Sequence, residues 1–145
     1  MDIENLLKSL KECKVKFVII GAMAFPLYGY ARITLDTDIF IEPTEGNARR
    51  TWKALKKFGY DVTDVTIEDL LTKKLLIRQY AVETDIHPFV TGATFSEIWK
   101  NKKKGKIGAI PVHFASLNDL IKMKKAAGRK KDKDDLKVLS QIKKK

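Results

Sequence analysis

Residues 17–40, FVIIGAMAFPLYGYARITLDTDIF, decide how the rest of the chain is read. The stretch continues an apolar run, 15–20, that reads as a buried strand. Gly21 ends the run. Pro26 follows, where it removes a backbone bond, so the helix expected over 22–30 is short and bent. Then Arg32-x-Thr34-x-Asp36-x-Asp38 leads into Ile39, Phe40 and Ile41. The order is strand, glycine turn, short helix, and a second strand, 35–42, that carries two carboxylates.

Strand side chains alternate between faces, so Asp36 and Asp38 share one face. Leu35, Ile39 and Ile41 take the other, against a core. Two like charges about 7 Å apart along one strand resist joint ionisation unless something offsets them. A divalent cation does so, and Mg²⁺ binds one or two carboxylates together with substrate phosphates. Glycine at a strand-to-helix turn lets a ligand approach the backbone. The N–H groups that follow face an anion. In combination these features point to a site for a nucleoside triphosphate and its metal ions. Taken singly, each has a plainer reading: a solvated strand face, or an ordinary turn glycine.

Outward from this stretch, helical periodicity predicts a helix over 2–14, with Ile3, Leu6, Leu7, Leu10 and Cys13 inward. A second helix is expected over 44–59, capped by Thr44 and Gly59, with Trp52, Leu55 and Phe58 buried. Residues 60–65 read as a short strand. Thr66 and Asp69 form a capping-box pattern for a helix over 66–73. Two apolar segments, 75–80 and 81–87, read either as strands joined by a tight turn near 80–83 or as one long bent strand. A helix over 94–101 is capped by Thr94, with Trp99 covering one end of the core. A basic loop, 101–106, and a strand, 107–114, follow. Pro111 makes that strand an edge or a kinked one. Helices are expected over 116–127, between Ser116 and Gly128, and over 130–143.

The chain of 145 residues fits one domain, 1–145, with a basic helical part at about 115–145. Apolar content is ordinary at 44%, and no run of about 18 apolar residues predicts a membrane span. The N-terminus is acidic and amphipathic, unlike a signal peptide. A single cysteine, Cys13, rules out an internal disulfide and suits a reducing compartment, so a cytoplasmic location is expected. Residues 1–99 hold 13 Lys/Arg against 14 Asp/Glu, whereas residues 100–145 hold 16 against 4. All of the net charge of +11 therefore lies in the last third. Such asymmetry either steers polyanions or simply solvates a surface.

The segment around Gly21, Arg32, Thr34, Asp36 and Asp38 resembles the signature of the minimal nucleotidyltransferases, within the DNA polymerase β superfamily. That signature is a Gly-Gly or Gly-Ser turn, a short helix, and Arg-x-Thr-x-Asp-hydrophobic-Asp. Here Ala22 replaces the second turn residue, so no hydroxyl is offered there, and Thr37 stands between the aspartates. The resemblance implies an α/β (α+β) fold, a small mixed sheet with packed helices. It implies transfer of a nucleoside monophosphate from an NTP to a hydroxyl on RNA (tRNA), protein or a small molecule. It also implies one or two Mg²⁺ or Mn²⁺ ions at Asp36, Asp38 and a third carboxylate on a neighbouring strand. Asp85 is the candidate for that place, with Glu83 the competitor on the same face and His87 a neighbour or substrate contact. Gly21 and Ala22 would present backbone N–H groups to the outer phosphates. Arg32 and Thr34 either position the strand or contact phosphate.

Residues 116–139, SLNDLIKMKKAAGRKKDKDDLKVL, resemble the same family through Lys124, Arg129, Asp132 and Asp135. The resemblance implies that Lys124 and Arg129 serve the nucleotide phosphates or hold the closing helices, while Arg129 has the alternative of pairing with Asp132 or Asp135. Three classes of function follow: an active nucleotidyltransferase, a degenerate nucleotide-binding module, and an RNA- or protein-binding toxin–antitoxin component.

Overall fold

The computed structural model describes residues 2–34, 36–80 and 82–144. Leu35, expected on the core side of the second strand, lies outside these. So does Ala81, at the expected turn between the later strands. The strands are β1 (Phe17–Ile20), β2 (Asp36–Ile41), β3 (Leu75–Ile77), β4 (Glu83–His87), β5 (Lys103–Ile107) and β6 (Ile110–Phe114). The α-helices are α1 (Asp2–Glu12), α2 (Glu45–Phe58), α3 (Ile67–Thr72), α4 (Phe95–Asn101), α5 (Leu117–Ala127) and α6 (Lys133–Lys143). The strands form one mixed sheet in the order β3-β4-β2-β1-β6-β5. The result is the expected small α+β architecture.

All four residues of β1 are buried, as expected of a strand near the sheet centre that is covered on both faces. It pairs antiparallel with β2 and parallel with β6. Asn47 of α2, itself buried, ties the helix to this pair. Its Oδ1 accepts from the Lys16 backbone N–H (2.7 Å), and its Nδ2 donates to the carbonyls of Lys16 (3.0 Å) and Glu42 (2.9 Å). Buried polar groups cost free energy unless bonded, so Asn47 acts as a register pin rather than filler. On the face of β2 that carries Asp36 and Asp38, Phe40 meets Phe95 of α4 edge-on at 5.2 Å.

The expected helix caps are present. Thr44, Thr66, Thr94 and Ser116 each accept a backbone N–H three residues on, and Thr66 with Asp69 completes a capping box. Gly59 and Gly128 close α2 and α5 in the left-handed conformation.

Three expectations are corrected. Residues 60–65 are not a strand. Asp61 accepts both the N–H and the hydroxyl of Thr63, and the Gln79 side chain pairs with the Asp61 backbone, so local bonds replace a ladder. The basic loop expected at 101–106 is largely β5, an edge strand whose lysines discourage pairing with another chain. The strand expected over 107–114 is broken by a turn at Gly108, so Pro111 sits in β6 opposite Lys106, clear of the Phe114 position that pairs with β1. The bent helix after Gly21 is a 3₁₀ helix (Gly21–Tyr28), ended by Gly29.

Candidate active site

Strands β2 and β4 are adjacent and parallel. Their register sets Asp36 beside Glu83, Asp38 beside Asp85, and Phe40 beside His87. The pleat therefore brings Asp36, Asp38, Glu83, Asp85 and His87 to one face. Oxygens of Asp38 and Asp85 and a ring nitrogen of His87 lie within 4.8 Å of one another. His87 Nε2 sits 2.8 Å from Asp38 Oδ1. Burial pushes the Asp38 carboxyl up, but the hydrogen bond and charge of His87, together with the charge of Lys74 and a hydrogen bond with Asp85, outweigh it and hold Asp38 below its usual value. Asp85 is 4% exposed, opposite Asp38, whereas Glu83 is half-exposed, opposite Asp36. A hydrogen bond to Asp36, then burial, raise the Glu83 carboxyl. Of the two candidates for the third carboxylate, it is Asp85 that faces the Asp38 oxygens.

Two cations here escaped the sequence reading. Arg78 Nη1 donates to Asp85 Oδ1 at 2.8 Å, and the same guanidinium lies 3.9 Å from Asp36 and 3.7 Å from Glu83. Lys74 Nζ lies 3.9 Å from Asp85. They bracket β3, which runs antiparallel to β4 with Leu76 beside Asp85. Nothing local in the sequence announces that pairing.

Gly21 follows β1, whose last residue, Ile20, is registered with Asp38. Its φ is +68°, a region that L side chains avoid, and a Cβ there would run into the Asp38 carboxylate. The glycine thus admits a carboxylate of the chain itself, as well as any ligand. Gly21→Ala is expected to cost about 1–2 kcal/mol of stability from backbone conformation alone. By displacing Asp38 it should also lower any chemistry at the site about a hundredfold. Thermal unfolding and turnover on the same preparation would check both, and an unchanged Asp38-dependent rate would refute the coupling.

A cleft of about 1000 Å³ opens over this face. Gly21, Ala22, Arg32, Thr34, Asp36, Asp38, Asp85, Lys124 and Arg129, the full set of sequence candidates, all line it, as does His87. Their bonds divide them. Thr34 Oγ1 donates to the Asp36 carbonyl (3.2 Å) and accepts its N–H (3.4 Å), so it steers the start of β2. Arg32 grips Asp135 through Nε and Nη2, both at 2.8 Å. Tyr30 donates to the same carboxylate (2.8 Å). Lys124 bridges Asp132 (3.0 Å) and Asp135 (3.3 Å), and Arg129 grips Asp132 (2.7 Å). Asp132 and Asp135 are each 3% exposed. Burial pushes their carboxyls up, yet Arg129 and Lys124 on one, and Arg32, Tyr30 and Lys124 on the other, bring both down to about 2. Of the alternatives for Arg129, pairing with Asp132 is the contact that forms.

A family described as nucleotidyl transferase of unknown function (DUF2204) matches residues 1–145. The chain belongs to this family. No curated protein matches it. The match covers the sheet, the carboxylate face and the α5–α6 pair together, so a nucleotidyl transferase reading applies to the chain as a whole.

The donor chemistry of this site suits a divalent cation. Asp38 and Asp85 offer hard oxygens from adjacent strands, as Mg²⁺ and Mn²⁺ prefer. His87 adds a nitrogen within the same small volume. Asp36, expected as a ligand, lies outside that converging group, beside Glu83 on the same face. No helix among the described residues is long and apolar enough to cross a membrane.

Proposed function

We propose that the protein is a metal-dependent nucleotidyltransferase that moves a nucleoside monophosphate from an NTP to a hydroxyl acceptor on RNA, protein or a small molecule. The acceptor oxygen bonds to the α-phosphorus, the bond from that phosphorus to the bridging oxygen breaks, and pyrophosphate leaves. The acceptor proton passes to Asp85. The observation that carries this reading is the parallel register that sets Asp38 against Asp85 at the floor of the cleft.

Asp38 and Asp85 would hold Mg²⁺ or Mn²⁺, with Asp36 on the same face beside them; the ion would neutralise charge at the phosphate oxygens and acidify the acceptor hydroxyl. His87 orients Asp38 through their 2.8 Å contact. Gly21 and Ala22 offer backbone N–H groups to the outer phosphates. Lys124, Arg129 and Arg32 act through Asp132 and Asp135, holding α5 and α6 beside the nucleotide, and add positive potential to the cleft wall.

The test is transfer of label from each of four α-labelled nucleoside triphosphates, with Mg²⁺ or Mn²⁺, onto bulk tRNA or proteins of a lysate. Label on RNA or on one protein band, lost in Asp36→Asn/Asp38→Asn, is the expected result. Arg78 and Lys74 favour a second reading, because they neutralise Asp85 without any metal. A degenerate module of that kind would bind nucleotide and make no product. In a toxin–antitoxin component acting through its basic last third, salt-sensitive binding to RNA or protein would survive the double substitution.

A further inference from the structure

The cleft has an apolar side that the reaction above leaves unused. Phe89 is 60% exposed and Ile33 is 91% exposed, and both line the cleft. The other large apolar side chains exposed among the described residues, Leu27, Leu76 and Tyr80, do not line it. Single exposed apolar groups are commonplace, but two on one concave surface that also holds a charged centre mark a ligand face. Leu120, Met123 and Ala127 of α5 line the same cleft and extend its apolar side.

The turn that follows Phe89 is fixed against the fold. It lies in the connection from β4 to α4, where Val90 and Ala93 form a β-bridge. Gly92, at φ +92°, seats that turn directly on α5, against Ala126 and the Lys122 carbonyl.

We infer that Phe89, together with Ile33, forms the platform on which the base of the bound nucleoside triphosphate stacks. The inference rests on reading the carboxylate face as the phosphate and metal end of a nucleotide site. Aromatic stacking accepts any base through its π-face, so the platform supplies affinity more than base choice, with purines covering it better than pyrimidines.

The test measures binding of ATP, UTP and inorganic tripolyphosphate to the full chain in Mg²⁺ by titration calorimetry. Wild type, Phe89→Ala, Phe89→Trp and Ile33→Ser are compared, all at exposed positions that the fold does not need. ATP should bind more tightly than tripolyphosphate. Phe89→Ala should weaken ATP about tenfold and leave tripolyphosphate unchanged. Ile33→Ser should weaken ATP by a smaller factor. Phe89→Trp should restore ATP affinity, its added indole emission quenched by ATP and not by tripolyphosphate. Equal loss of both ligands in Phe89→Ala, or no loss of either, overturns the platform. So does a dimer that Phe89→Ala converts to monomer with affinities intact, which assigns the face to a second copy. If wild type binds tripolyphosphate and ATP equally, the platform fails while the phosphate end stands. If it binds neither, the nucleotide reading of the cleft falls and the platform with it.

Discussion

Asp38→Asn should lower nucleotidyl transfer on the order of a thousandfold and change the melting temperature little. Two opposing effects set the second expectation. Asp85 and Asp36 crowd the Asp38 carboxylate with like charge, whereas its contact with His87 and the charge of Lys74 hold it below its usual value and so stabilise the folded state at neutral pH. Asparagine keeps the shape and an oxygen for His87 but removes the charge on which a divalent cation depends. A loss of function without a matching loss of stability is the mark of a carboxylate retained for chemistry rather than for the fold. Transfer and thermal unfolding on the same preparation would decide it. Transfer within about tenfold of wild type would remove Asp38 from the reaction, and a large drop in melting temperature would recast it as a structural residue.

Asp135→Ala should have the opposite profile, costing about 3 kcal/mol of stability, or about 10 °C in melting temperature. The substitution strips a bidentate partner from Arg32, an acceptor from Tyr30, and one of two partners from Lys124. Lys124 keeps Asp132, and Arg32 is half-exposed and can turn to water, so the cost stays at the low end for a broken buried pair. Arg32→Ala alone should cost less, since Asp135 keeps Lys124 and Tyr30. A double-mutant cycle should then show strong coupling, and additive losses would falsify the clamp. The same network sets an acid limit. Asp132 and Asp135 titrate near 2 in the folded protein, below an ordinary carboxylate. Their stabilisation, on the order of 2 kcal/mol each, is present above about pH 4 and is lost as pH falls through about 2. Urea unfolding between pH 5 and 2 should show that loss in wild type and less of it in Asp135→Ala.

Much of the architecture was legible because it depends on short-range chemistry. Thr44, Thr66, Thr94 and Ser116 announce helices by donors they satisfy three residues away. Residues 60–65 and 101–106 were misread for the complementary reason. Apolar content at Tyr60 and Val62 suggested a strand, but side-chain bonds from Asp61 and Gln79 took the backbone groups. Lysine content at 103–106 suggested a loop, but an edge strand uses lysine as protection.

The sequence by itself determined the residues of the carboxylate face, because strand alternation puts Asp36 and Asp38 on one side and family resemblance supplied Asp85. Which carboxylates face each other was decided only by the tertiary structure, through the β2–β4 register. Arg78 and Lys74 entered the site the same way, by the pairing of β3 with β4. The bond of Arg32 to Asp135 spans 103 positions. No local pattern encodes such a separation, because ion pairs form between whichever opposite charges the packed elements bring together. Alternation, capping and glycine turns act over a few residues and can be read along the chain, whereas register and charge pairing are properties of the folded sheet.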